Sequence, residues 1–138
     1  MSSVNHKFIA LDVGERRIGV AQADSETRFP FPVGTIDVDG LEMDRLREII
    51  TEIQPVSIIV GYPRNQNGEP TKQTKSVEAF AASLEYLRVP VVFQDESLTS
   101  VLAEEYLKRQ KKPYTKADID SHAATIILGD YIEQTYGH

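Results

Sequence analysis

The segment Phe8-Ile9-Ala10-Leu11-Asp12-Val13 constrains the fold more than any other part of the chain. Both of its alternating sets of side chains are apolar, Asp12 excepted. A strand of that pattern is buried on both faces and belongs in the middle of a sheet. Gly14, Glu15 and Arg16 follow, and then a second run from Arg17 through Ala21. The spacing predicts paired strands over 7–13 and 17–24, joined by a tight hairpin turn. Asp12 is then a carboxylate held between Leu11 and Val13, where an ionised group is costly unless something compensates it.

The rest of the chain alternates between strand and helix patterns. Phe29 to Ile36 reads as a short edge strand, because Pro30 and Pro32 cannot donate to a ladder. Leu46, Ile49, Ile50 and Ile53 recur at helical spacing, which predicts a helix over 41–53 ended by Pro55. Val56 to Gly61 reads as a second buried strand. Tyr62 to Pro70 is dense in turn residues and reads as a binding loop. Val77, Phe80, Ala81 and Leu84 mark another helix. Val89 to Phe93 reads as a third buried strand ending in Gln94-Asp95-Glu96. Residues 99–110 suit a helix begun by Thr99 or Ser100, with a basic tail that suits the helix dipole. Thr115 and Asp118 form a capping box for a last helix, whose apolar stripe runs through Ala124, Ile127 and Tyr131. Counting back four residues from Ala124 places Asp120 on that inward stripe. A strand meander followed by strand–helix units implies an α/β fold, a mixed sheet flanked by helices.

The length of 138 residues suits one domain, 1–138. With 41% hydrophobic and 26% charged residues the chain is globular rather than disordered. It contains no cysteine, which excludes disulfides and thiolate zinc sites. No run is apolar enough to span a bilayer, and residues 1–7 lack the apolar core of a signal peptide, so no membrane association and a cytoplasmic location are expected. The net charge of −6 argues against sequence-independent nucleic-acid binding by the protein as a whole. The charge is polarised, however. Lys108, Arg109, Lys111, Lys112 and Lys116 form a run free of acids up to Asp118, while Glu42, Asp44, Glu48 and Glu52 cluster elsewhere. A basic patch on an acidic protein is the expectation, with a solvated helix end as the alternative.

Three acids occupy costly positions. Asp12 lies in a doubly buried strand, Glu96 ends an apolar strand, and Asp120 lies on the inward face of a helix. No lysine or arginine flanks Asp12 at sheet spacing. If the three converge they also repel one another, and a divalent cation resolves both problems. Ligation by oxygen alone suits Mg²⁺ or Mn²⁺. Each acid also has a purely structural reading. Asp12 could bond to the Gly14 turn, Glu96 could be a solvated strand end, and Asp120 could be a first-turn helix acid. The functional reading rests on the three taken together. His122 stands four residues after Asp118 and could pair with it. No Gly-x-Ser-x-Gly, P-loop or Gly-x-Gly-x-x-Gly motif is present.

Four stretches resemble the YqgF family, also called RuvX. This bacterial family is described both as Holliday junction resolvases and as nucleases of the precursor of small-subunit ribosomal RNA. Ala10-Leu11-Asp12-Val13-Gly14 with Arg17-Ile18-Gly19-Val20-Ala21 is similar to its opening hairpin. Val60-Gly61-Tyr62-Pro63, with Asn65 and Gly68, is similar to its glycine–proline loop. Asp95-Glu96-Ser97-Leu98-Thr99-Ser100 resembles its acidic strand end, and Asp120-Ser121-His122-Ala123-Ala124 resembles the start of its last helix. The resemblance covers roughly residues 7 to 136 and implies a ribonuclease H-like mixed five-stranded sheet. It places the family's acidic triad on Asp12, Glu96 and Asp120, the same acids selected by burial. Ser97 departs from the arginine that often follows the Asp-Glu pair.

The resulting expectation is a metal-dependent nuclease. Asp12, Glu96 and Asp120 hold one or two Mg²⁺ or Mn²⁺ ions in a two-metal mechanism. Arg16, Arg17, Asn65, Lys108, Arg109, Lys111, Lys112 and Lys116 contact the nucleic acid. RNA, in 5′-end processing of pre-16S rRNA, is preferred to four-way DNA junctions because of the family's description. Monomer and homodimer both remain open. Tyr62 and Tyr114 are the only candidates for stacking on bases. Two other classes remain: a nucleotide phosphotransferase, suggested by Asp12-Val13-Gly14, and a non-catalytic binding factor on the same fold.

Overall fold

The computed structural model describes residues 4–63, 67–96 and 99–137. Its elements in chain order are β1 (Lys7–Val13), β2 (Arg17–Asp24), β3 (Phe31–Asp37), α1 (Glu42–Ile53), β4 (Ser57–Pro63), α2 (Lys72–Ser83), β5 (Val91–Glu96), α3 (Thr99–Arg109) and α4 (Lys116–Tyr136). A 3-10 turn, Glu85–Leu87, follows α2. The sheet order is β3-β2-β1-β4-β5, so β1 is central as its sequence requires. The β1–β2 and β2–β3 pairs are antiparallel, and β4 and β5 run parallel to β1. This is the mixed, helix-flanked sheet expected.

The turns and caps follow local chemistry. The Gly14 amide donates to the Arg17 carbonyl at 3.0 Å and closes the hairpin. A Cβ on Gly14 would come within 2.8 Å of that same oxygen. Gln54 ends α1 in the left-handed region at φ 55°, and Pro55 follows it. Capping boxes close the starts of α2 (Thr71 with Thr74) and α4 (Thr115 with Asp118).

Two cores lie on opposite faces of the sheet. Ile9, Leu11, Ile18, Val20, Ile58 and Val60 pack against Leu46 and Ile50 of α1 and Val77 of α2. The other face carries Phe8, Ala10, Ala21, Ala23 and Ile59, packed against Ala124, Ile127, Leu128 and Ile132 of α4. Side chains on that second face are small beneath α4, so the helix lies close to the sheet. The approach is tightest at Gly19, where a Cβ would fall on the backbone carbonyl group of Asp120.

Two sequence expectations change. Val89 to Phe93 does not form a strand buried on both faces. The strand begins at Val91 and lies at the sheet edge, with Phe93 44% exposed. An apolar run of that length is the same whether one neighbour or two will pair with it. The loop expected from Tyr62 begins later, because β4 continues through Tyr62 and Pro63, which pair with Asp95 and Glu96.

The two faces of α4 predict opposite outcomes for two glycines. Gly19→Val must push α4 off the sheet and should destabilise the protein by about 3 kcal/mol or more. Gly129→Ala meets only Pro30 Cγ at 3.6 Å and should stabilise it by about 0.5–1 kcal/mol through helix propensity. Urea unfolding of the two variants measures both. Equal effects would contradict the packing described.

Candidate active site

The parallel strands β1, β4 and β5 all end at one edge of the sheet, where open α/β sheets bind their ligands. Asp12 is the penultimate residue of β1, and Glu96 is the last residue of β5. Asp12 pairs across the ladder with Gly19. The backbone of Asp120 rests on that same Gly19, so a missing side chain brings the first turns of α4 beside Asp12. On the other side, a Cβ on Gly61 would lie 3.0 Å from the Glu96 carboxylate. Two glycines flanking Asp12 in the sheet thus let Glu96 and the α4 backbone close in on it.

The electrostatics follow from this convergence. Burial, then the charges of Glu96 and Asp120, push the Asp12 carboxyl up to about 7. Among the described residues no hydrogen bond or ion pair reaches the Asp12 carboxylate. Burial also raises Glu96, opposed by the hydrogen bond that Thr99 Oγ1 donates to its Oε2 at 2.6 Å. Asp120 has a cation after all: Arg17 Nε donates to its Oδ2 at 2.8 Å, each side chain about a quarter exposed. These two residues are 103 positions apart, beyond any spacing rule. Of the three carboxylates, only Asp120 has a guanidinium partner among the described residues.

The donor set is all oxygen, which suits a hard divalent cation. As placed, however, no group of three or more His, Asp or Glu side chains among the described residues is arranged to hold a metal ion. The Arg17 bond occupies one oxygen of Asp120.

The remaining expected residues divide. Arg16 and Arg17 line a cleft beside Asp120, and Lys116 lines another that also holds Arg17 and Asp120. Lys108 and Arg109 lie at the far end of α3, about 15 Å along the helix from Thr99. They and the exposed Lys111 and Lys112 line neither cleft. Asn65 and Ser97 fall outside the described residues. Tyr62 donates its hydroxyl to Glu78 of α2 and packs 4.9 Å from the Phe93 ring, on the face of the sheet opposite Asp12. Tyr114 donates to Glu104. His122 does not pair with Asp118, whose carboxylate caps α4 at Thr115. Its ring stacks on Tyr106 with centroids 4.2 Å apart, and burial lowers its pKa. Sequence reasoning missed Thr99 as the partner of Glu96 and missed Gly19 and Gly61 as the points of close approach.

The Asp12 shift has a definite sign. Between pH 3.8 and about 7 the folded state holds a proton that the unfolded state has lost. Stability therefore falls as pH rises through that window, and the penalty is fully present above it. In EDTA at pH 8, Asp12→Asn should be the more stable protein by up to about 4 kcal/mol, at 1.36 kcal/mol per pH unit between 3.8 and about 7. At pH 4 the difference should vanish. Urea titrations at both pH values measure it, and a variant less stable at pH 8 would refute the assignment.

Comparison with known proteins now fits this geometry. The family model described as "RuvX: Holliday junction resolvase" matches residues 6–134. A relative from Chloroflexus aurantiacus, named "Putative pre-16S rRNA nuclease", is 41% identical over 131 residues, covering 91% of this chain and 86% of that protein. A relative of the same name from Roseiflexus sp. is 37% identical, with 96% and 98% covered. Among solved structures, RuvC of T. thermophilus in complex with a Holliday junction substrate superposes with a TM-score of 0.58 at 15% identity, covering 95% of this chain and 96% of RuvC. The fowlpox virus resolvase bound to junction DNA gives 0.54 at 13% identity, covering 93% and 97%. These two likenesses establish the ribonuclease H-like fold. With its opening hairpin, both flanking glycines and all three acids inside the matched span, the chain belongs to the RuvX family.

Proposed function

We propose that the protein is a metal-dependent nuclease that hydrolyses phosphodiester bonds in cytoplasmic 5′-end processing of pre-16S rRNA, acting as a single domain. The observation that carries this reading is Asp12. It is a half-buried carboxylate with no hydrogen-bond or ion-pair partner among the described residues, set beside Glu96 and Asp120, of which only Asp120 is paired with a cation, Arg17. Such a group is expensive to keep unless a ligand compensates it. Asp12, Glu96 and Asp120 would hold one or two Mg²⁺ or Mn²⁺ ions, which when bound activate a water and stabilise the leaving oxygen. Thr99 orients the Glu96 carboxylate through its hydroxyl. Arg17 holds one oxygen of Asp120 and so fixes the direction in which the other points. Lys116 lines the adjoining cleft and would hold a phosphate of the substrate. No nucleophilic side chain is required.

The relatives' name supports RNA as substrate, and the likeness to RuvC favours a second reading as a junction resolvase. Cleavage of labelled single-stranded RNA spanning the 5′ end of 16S rRNA, and of a four-way DNA junction, with Mg²⁺ or Mn²⁺, separates the two. Metal-dependent cutting of the RNA is expected, lost to background in Asp12→Asn. Cutting of the junction alone would establish the second reading. No cutting of either by the wild type would favour a non-catalytic binding factor.

A further inference from the structure

The Arg17–Asp120 pair forms a wall shared by two clefts. One, of about 280 Å³, contains Lys116 with Val101, Glu104 and Ile119 of α3 and α4. The other, of about 630 Å³, opens between the hairpin turn and the first turns of α2, and is lined by Glu15, Arg16, Lys72, Gln73 and Ser76. Its volume lies within the range of ligand-binding pockets. Nothing in the sequence of α2 marks it as part of a site.

We propose that this larger cleft seats the phosphodiester backbone of the nucleic-acid strand on one side of the reacting phosphate. Arg16 and Lys72 hold it there, while Lys116 holds the strand on the other side. The inference rests on the nuclease reading and extends it to residues of α2. Because Arg17 and Asp120 line both clefts, whatever occupies either lies against the carboxylate centre. Arg16 and Lys72 come from separate elements, are both exposed, and have no ion pair among the described residues. The acids in the cleft are Glu15 and Asp120, and Asp120 is already engaged by Arg17, so the cleft is cationic on balance. Gln73 offers an amide to a phosphate or sugar oxygen. Ser76 offers a hydroxyl, which in this structure donates to the Lys72 carbonyl at 3.3 Å. None of the residues lining the cleft is aromatic. Contact there positions the backbone and does not stack or read bases.

The test is fluorescence anisotropy of labelled oligo-U and oligo-A RNA over a salt series in EDTA, on proteins whose melting temperatures have been matched to wild type. Lys72→Ala and Arg16→Ala should each weaken binding severalfold at low salt. Each should also lower the slope of log K against log salt by about 0.7, the value for one phosphate contact on a single strand. The two oligomers should respond alike. Lys75→Ala removes the same charge from the same helix but lies off the cleft, and should change neither quantity. An equal effect from Lys75→Ala would overturn the proposal, because it would show only a loss of overall charge. So would unchanged binding in Lys72→Ala and Arg16→Ala, or no binding by the wild type. A parallel cleavage assay separates this inference from the nuclease reading. Wild type that binds through Lys72 and Arg16 but cuts nothing removes the nuclease and keeps the cleft. Wild type that cuts, with both variants binding unchanged, does the reverse.

Discussion

The backbone of α4 lies directly on Gly19, and the candidate site depends on that contact. Gly19 is the ladder partner of Asp12, so a helix that touches Gly19 must deliver Asp120 beside Asp12. The contact is possible because the sheet face beneath α4 is built from Gly19, Ala21, Ala23 and Ala10, while the opposite face carries Leu11, Val20 and Ile58. The asymmetry between the faces is thus a packing solution with a chemical result. One face is thick and supports α1 and α2. The other is thin and lets a helix approach closely enough for its first turns to share a site with the end of β1.

The same economy of side chains operates on the other flank. Gly61 leaves room for Glu96 to lean across β4, and Thr99 takes the Glu96 oxygen that faces α3. Three carboxylates then meet with a single guanidinium among them. Burial first, and then the charges of Glu96 and Asp120, push the Asp12 carboxyl up to about 7. The chain bears this cost at the end of its central strand, where an apolar residue would have packed more favourably.

Much of this was legible in the sequence, and what was not has a physical reason. Apolar periodicity reports which faces are covered, so the hairpin, the central place of β1 and the inward stripe of α4 could be read directly. Capping boxes are local, so Thr115 and Asp118 could be placed without any tertiary information. Arg17 reaching Asp120 could not, because the pair is created by the crossing of β2 and α4. The edge position of β5 could not either, since Val91 and Val92 look the same with one neighbour or two. Tyr62 was read as a loop residue facing the substrate, but strand register turned it toward α2. The cationic run from the end of α3 to the start of α4 looked like a single patch. The fold carries only Lys116 to the carboxylates and leaves Lys108 and Arg109 at the far end of the helix.

The central claim is that the raised Asp12 carboxyl is the price of a cation site. Calorimetric titration of Mn²⁺ between pH 5 and 9 tests it most directly, since a ligand must lose its proton to bind metal. The account predicts saturable binding that tightens steeply as pH rises from 5 to 7, approaching tenfold per pH unit, and levels off above pH 8, with a proton released on binding at low pH and none at high pH. Saturable binding that is lost in Asp12→Asn would complete the assignment. Absence of saturable binding, or an affinity indifferent to pH across that range, would contradict it.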